Sequence, residues 1–196
     1  MFARTRSLAL PIAAILTIGV AFALPAAAQD VLYNNGPDGN VGYYHVNFGA
    51  VLANSFTLSS AATLTNVSLT IYAVDDRNLP ERLKWTITTE PLGGEIKGEG
   101  FVNLILLDNP YPTRFQFFAW PMGFALPHLT LPAGTYYLQI QDVETLWYTY
   151  AFWAQSSGGS SQAYYEPIAQ NGAGGVSLVP SEAFSVYGEW SSEQVR

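Results

Sequence analysis

Between positions 147 and 153 the chain reads Trp-Tyr-Thr-Tyr-Ala-Phe-Trp, five aromatic rings in seven residues. Exposed rings of this kind stack on the apolar face of a pyranose, while nearby Asn, Gln or Asp side chains bond its hydroxyls. Period-two alternation puts Tyr148, Tyr150 and Phe152 on one face and Trp147, Thr149, Ala151 and Trp153 on the other. A second aromatic pair stands at Tyr43-Tyr44, with Trp120 further along. Trp147, Tyr148, Tyr150, Trp153, Tyr43 and Tyr44 are therefore the candidate ligand-binding residues. The competing account is that these rings pack, the ordinary fate of Trp and Phe; both faces are core only if the strand is central and covered.

Other chemistries find less support. The chain has no cysteine, no Gly-x-Ser-x-Gly elbow, and two histidines, His45 and His128. A Ser-His-Asp triad would need one of them as base, and a three-histidine zinc site is out of reach. A glycosidase needs two carboxyls about 5–10 Å apart in a cleft. Asp38, Asp75, Asp76, Glu90, Glu95, Glu99 and Asp108 fall in or beside turns, whereas Asp142, Glu144 and Glu166 are less clearly so. No Glu-x-Glu array marks a strand face, so solvated surface charge is the better account and no catalytic residue is assigned. Calcium is the one cofactor weighed, at Asn35, Asp38 and Asn40 or at Asp75, Asp76 and Asn78; Asx residues also favour turns for local reasons.

The elements that must position these residues read as strands. Phe56 and Leu58 alternate with Ser55, Thr57 and Ser59. Val67, Leu69, Ile71 and Ala73 alternate with Ser68, Thr70 and Tyr72. The same period recurs at Leu83-Trp85-Ile87, at Tyr136-Leu138-Ile140 and at Phe184-Val186. Turn clusters separate the runs at 35–40, 75–78, 91–94, 131–134, 156–161 and 171–175. No segment after residue 28 keeps a 3.6 period for three turns without Gly, Pro or a β-branched cluster. The pattern predicts an all-β fold, an antiparallel β-sandwich of jelly-roll type, as one domain over 29–190 with a frayed tail at 191–196.

Residues 1–28 read as a cleaved signal peptide: Arg4 and Arg6, an apolar run from Leu8 to Ala23, and Ala26-Ala27-Ala28 before Gln29. The run is shorter than the roughly 20 residues a spanning helix needs. Losing Arg4 and Arg6 moves the formal charge from −7 to −9, which disfavours nucleic acid and anionic lipid as partners. The expected location is secreted or periplasmic, with no membrane anchor after cleavage. Without cysteine the domain must hold together by packing alone.

Four segments carry a resemblance. They are Val31-Leu32-Tyr33-Asn34-Asn35-Gly36, the run Asn54 to Leu64, the run Leu131-Pro132-Ala133-Gly134-Thr135-Tyr136-Tyr137-Leu138, and the run Val179 to Gly188. In order and spacing they resemble the exported bacterial β-sandwich domain found in many PEP-CTERM proteins. The sequence departs from that pattern at Trp190 to Arg196, where it shows no Pro-Glu-Pro motif, apolar helix or basic cluster. The resemblance implies the sandwich and an extracellular or envelope setting, and transfers no catalytic residue. The expectation is a non-enzymatic envelope or extracellular-matrix module binding polysaccharide or an envelope protein. The alternatives are a glycan-active hydrolase or lyase on a jelly-roll scaffold and a purely structural envelope protein.

Overall fold

A computed structural model describes residues 29–159, 161–167 and 175–191. The leader expected over 1–28, the tail residues 192–196 and most of the turn at 171–175 lie outside the described residues. The first seven strands are β1 (Asp30–Asn34), β2 (Asp38–His45), β3 (Val51–Leu58), β4 (Ala62–Ala73), β5 (Pro80–Glu90), β6 (Gly93–Asn103) and β7 (Ile105–Leu106). The next seven are β8 (Tyr111–Pro112), β9 (Phe118–Leu131), β10 (Gly134–Thr145), β11 (Ala151–Ser156), β12 (Ala163–Glu166), β13 (Ser177–Val179) and β14 (Phe184–Trp190). No helix occurs among the described residues.

These strands form two antiparallel sheets packed as a sandwich. One runs β13-β12-β3-β10-β5-β6. The other is built around β4, which pairs with β9 along its whole length, from Ala62 opposite Leu131 to Ala73 opposite Phe118. Along its other edge β14 pairs with Ala62 to Leu69, and β11 takes over at Ile71 to Ala73. β1 lies outside β14, and β2 outside β11.

The alternation sorts side chains as expected. Val67, Leu69, Ile71 and Ala73 are buried, and they share one hydrophobic cluster with Leu83, Trp85, Ile87, Tyr136, Leu138, Ile140, Phe184 and Val186. Alternate residues of paired strands meet between the sheets, which removes apolar surface from water without a cross-link. Ser191, at the head of the expected frayed tail, still donates its backbone N–H to Ala61 O at 2.8 Å.

A smaller cluster lies on the opposite face of the β4 sheet. Tyr72 and Ala154 are buried there beneath residues 107–117, with Tyr43, Phe115, Phe117 and Phe152 packed around them. Asp38 pins this cover, accepting hydrogen bonds from the hydroxyls of Tyr72 at 2.5 Å and Tyr111 at 2.9 Å. Burial, followed by the neighbouring Asp38, raises both phenol pKa values, so both remain donors.

Where β11 hands over to β14, a short segment fills the gap. Ser156 N donates to Ser181 O at 2.9 Å, and Ala183 N donates to Ala154 O at 2.8 Å. Glu182 lies between them. Its backbone N donates to Asn54 Oδ1 at 2.8 Å, and its carbonyl accepts from Asn35 Nδ2 at 2.5 Å. Its carboxyl is fully buried, and both oxygens lack a partner among the described residues. Burial pushes its pKa well above the ordinary carboxylate value, so the carboxyl is held neutral.

Two predictions follow from this packing. Leu69→Asp places a charge at a 4% exposed core position and should abolish cooperative unfolding, whereas Thr70→Asp on the opposite face should lower the melting temperature far less. Equal effects would refute the face assignment. For Glu182, the unfolded carboxyl ionises above about pH 4.3 while the folded one stays protonated. The Glu182 contribution to stability therefore falls as pH rises through this window, by about 1.4 kcal/mol per unit, until the folded carboxyl ionises too. Glu182→Gln should remove that slope, so its advantage in denaturant melts should grow from acid to neutral pH.

Candidate functional site

The site begins with a β-bulge. β10 pairs with β5 as far as Gln141 opposite Lys84 and resumes at Glu144 opposite Arg82, leaving Asp142 and Val143 against the single residue Leu83. A bulge bends its strand, and here Val143 N donates to Val46 O at 3.1 Å, just beyond the end of β2. Val46 N in turn donates to Ala151 O at 3.0 Å. The bulge thus joins the two sheets at one end of the sandwich and gathers residues 46–50, 142–144 and 145–150.

Two buried asparagines hold the third of these segments where ladder pairing is missing. Asn78 donates from Nδ2 to Thr149 Oγ1 and accepts from Trp147 N at 3.0 Å. Asn47 donates from Nδ2 to Thr149 O at 2.8 Å and accepts from Ala151 N at 3.3 Å. Thr145 closes the loop, its Oγ1 accepting from Thr149 N at 3.0 Å and its carbonyl accepting from Tyr148 N at 2.9 Å. With the backbone anchored from beneath, Trp147, Tyr148 and Tyr150 stand outward at 48%, 79% and 56% exposure.

Beside this loop lies a groove of about 410 Å³. Its aromatic walls are Phe48, Phe101 and Tyr148, Asp142 and Glu144 supply polar groups, and the buried Asn47 lies beneath. Phe48, Asp142 and Tyr148 all have left-handed backbones, with φ of 55°, 50° and 53°. Phe48 and Gly49 (φ 91°) are the central residues of a turn closed by Ala50 N donating to Asn47 O at 3.2 Å. Positive φ at both central positions is the geometry that favours Asn-Gly. A bulky ring at the first of them is an outlier, costing on the order of 1 kcal/mol or more. Two such rings, Phe48 and Tyr148, line one groove with Asp142, while the other left-handed non-glycine residues, Asn40, Leu92, Gln116 and His128, lie elsewhere.

The groove is electrostatically uneven. Glu144 pairs with Arg82 at 3.8 Å, and the Arg82 guanidinium lies 4.6 Å from the Phe101 ring centre. Arg77 lies 5.4 Å from the Trp147 ring centre. Asp142 accepts only from Gln141 Nε2, at 3.2 Å, and takes no ion pair among the described residues. His45 packs at a tilt against Tyr150 and Phe152, at 5.1 and 5.4 Å, and against Phe48 at 5.9 Å. Burial lowers its pKa, which keeps the imidazole neutral at neutral pH.

The structure divides the sequence-predicted set. Trp147, Tyr148 and Tyr150 share one exposed loop. Trp153 is fully buried, its indole N–H donating to Ala183 O at 3.0 Å, so its ring meets no ligand. Tyr43 packs under residues 107–117, 5.0 Å from Phe115 and 4.8 Å from Phe152. Tyr44 is on the opposite face of β2, 5.1 Å from Tyr165. The alternation applied across 147–153 fails because β11 starts only at Ala151; residues before it form an irregular loop with no period.

Sequence reasoning passed over Phe48, Phe101 and Asn47. The aromatic-Gly pair at Phe48-Gly49 was the available signal for the first, and nothing in the local pattern of β6 marks Phe101. The residues weighed for calcium have other contacts: Asn35 and Asn78 point inward, Asp38 holds two tyrosines, and Asp75 accepts from Arg77 N at 2.9 Å. No protein-family model matches the chain, and no curated protein matches it.

Strain and bracing are separable by mutation. Phe48→Asn relieves the left-handed ring and should raise the melting temperature by about 2–4 °C. Asn78→Ala leaves Trp147 N and the Thr149 hydroxyl without their partner and should cost about 1–3 kcal/mol. Amide exchange at 147–149 should accelerate in that variant ahead of global unfolding.

Proposed function

We propose that this protein is an exported, non-enzymatic β-sandwich module that binds polysaccharide through the groove bounded by Phe48, Phe101 and Tyr148. The observation that carries the reading is the pre-organised display of exposed aromatic rings. Trp147, Tyr148 and Tyr150 are presented by a loop whose backbone is held by buried Asn47 and Asn78. A sugar ring presents an apolar face and a hydroxylated rim, which matches aromatic walls flanked by Asp142 and Glu144. Fixing the loop before binding lowers the ordering cost of association. Export follows from the leader at residues 1–28, and the envelope setting from the resemblance carried by the four segments above.

The second reading is a glycan hydrolase using Asp142 and Glu144, favoured by their place on the same groove. Against it, a general acid requires an apolar setting that keeps it protonated. Here both carboxyls are partly solvated, and Glu144 is paired with Arg82. Polysaccharide binding without turnover by the purified protein is the expected result. Tyr148→Ala should weaken binding about tenfold with the melting temperature within about 2 °C of the parent. Release of reducing ends, abolished by Glu144→Gln, would establish the hydrolase instead; binding unaffected by Tyr148→Ala and Phe48→Asn would remove the groove from consideration.

A further inference from the structure

The aromatic rings at this end of the sandwich already accept cations from the protein itself. Arg77 covers Trp147, and Arg82 covers Phe101. Ring faces carry negative charge density, so a guanidinium or ammonium is held over them. Phe48 and Tyr148, on the same groove and exposed at 52% and 79%, carry no such cation among the described residues. Asp142 lines the same groove, and its carboxylate has a hydrogen bond from Gln141 and no ion pair among the described residues. Glu144 differs in having the Arg82 guanidinium 3.8 Å away. Phe48 also packs against Tyr150 at 5.6 Å and His45 at 5.9 Å, so the groove offers the exposed ring of Tyr148, the outer part of Phe48 and one carboxylate without an ion pair among the described residues.

Resting on the glycan-binding reading, we propose that the groove selects sugars bearing a free amine, such as polymers of 2-amino-2-deoxyhexose, over their N-acetylated or acidic counterparts. The ammonium is attracted by Asp142 and the faces of Phe48 and Tyr148, and the apolar face of the pyranose stacks on the remaining ring surface. Acetylation removes the charge and leaves only stacking. A carboxylated sugar meets Asp142 as a like charge, which disfavours it.

The test is titration calorimetry of the whole mature protein with a glucosamine oligomer and with its N-acetylated counterpart of equal length, at a pH where the amine is protonated. Lysine amide serves as an amine without a sugar ring. The glucosamine oligomer should bind about tenfold tighter than the acetylated one, and added salt should narrow the gap. Asp142→Asn should erase the preference, with the glucosamine oligomer losing more affinity than the acetylated one. Asn accepts the left-handed backbone as Asp does, so the fold is not at issue. Equal affinity for both oligomers, or a preference that survives in Asp142→Asn, overturns the charge selection; if that equal binding is lost in Tyr148→Ala, the glycan reading still stands. Lysine amide binding as tightly as the oligomer overturns the sugar assignment. Binding of neither oligomer, with binding of other polysaccharides absent as well, overturns both.

Discussion

Hydrogen bonding along both edges of β4 is the constraint on which the rest of this fold depends. One edge is satisfied by β9 over twelve residues of β4. The other edge is longer than either β11 or β14, so the two share it. That division sends β14 toward β1 and β11 toward β2, and it sets the width of the sheet at each end. It also creates a seam. At the seam the backbone of Glu182 is held by two buried asparagine side chains, as buried peptide groups require a partner. The Glu182 carboxyl is buried there too, at a cost that a neutral proton state limits.

The same substitution of amide side chains for ladder bonds recurs at the groove end. The β10 bulge ends regular pairing, and Asn47 and Asn78 take over the peptide groups of the 147–151 backbone. The loop is braced as the seam is closed, by buried asparagine amides that bond backbone groups left without a ladder partner. Rigidity beneath and exposed rings above are two consequences of one arrangement. The cost appears in Phe48, Asp142 and Tyr148, whose left-handed backbones the surrounding contacts must enforce.

Much of the fold was legible from the residues. The faces of Val67 to Ala73, Leu83 to Ile87, Tyr136 to Ile140 and Phe184 to Val186 are as alternation assigns them, because a strand buried on one side must segregate apolar residues with period two. Tyr72 shows the limit: it sits on the outward face as alternation requires, yet it is buried because residues 107–117 fold over it. β6, mostly exposed, and β9, interrupted by Pro121 and Pro127, carry weaker patterns that alternation does not resolve. At the site, Trp147, Tyr148 and Tyr150 were legible from aromatic density alone. Trp153 was not separable from them, since its burial depends on where β11 begins.

By itself, then, the sequence determined the class of the fold, the inward face of its main strands, and the aromatic segment from which the site is drawn. These are local properties, set by side-chain period and type. The tertiary structure decided which rings face solvent, and it decided that Phe48 and Phe101, about fifty residues apart along the chain, share a groove with Asp142 and Tyr148. Those choices rest on a bulge, on two inward-turned asparagines and on the handover from β11 to β14. Each is a pairing between distant segments, and no local periodicity encodes it.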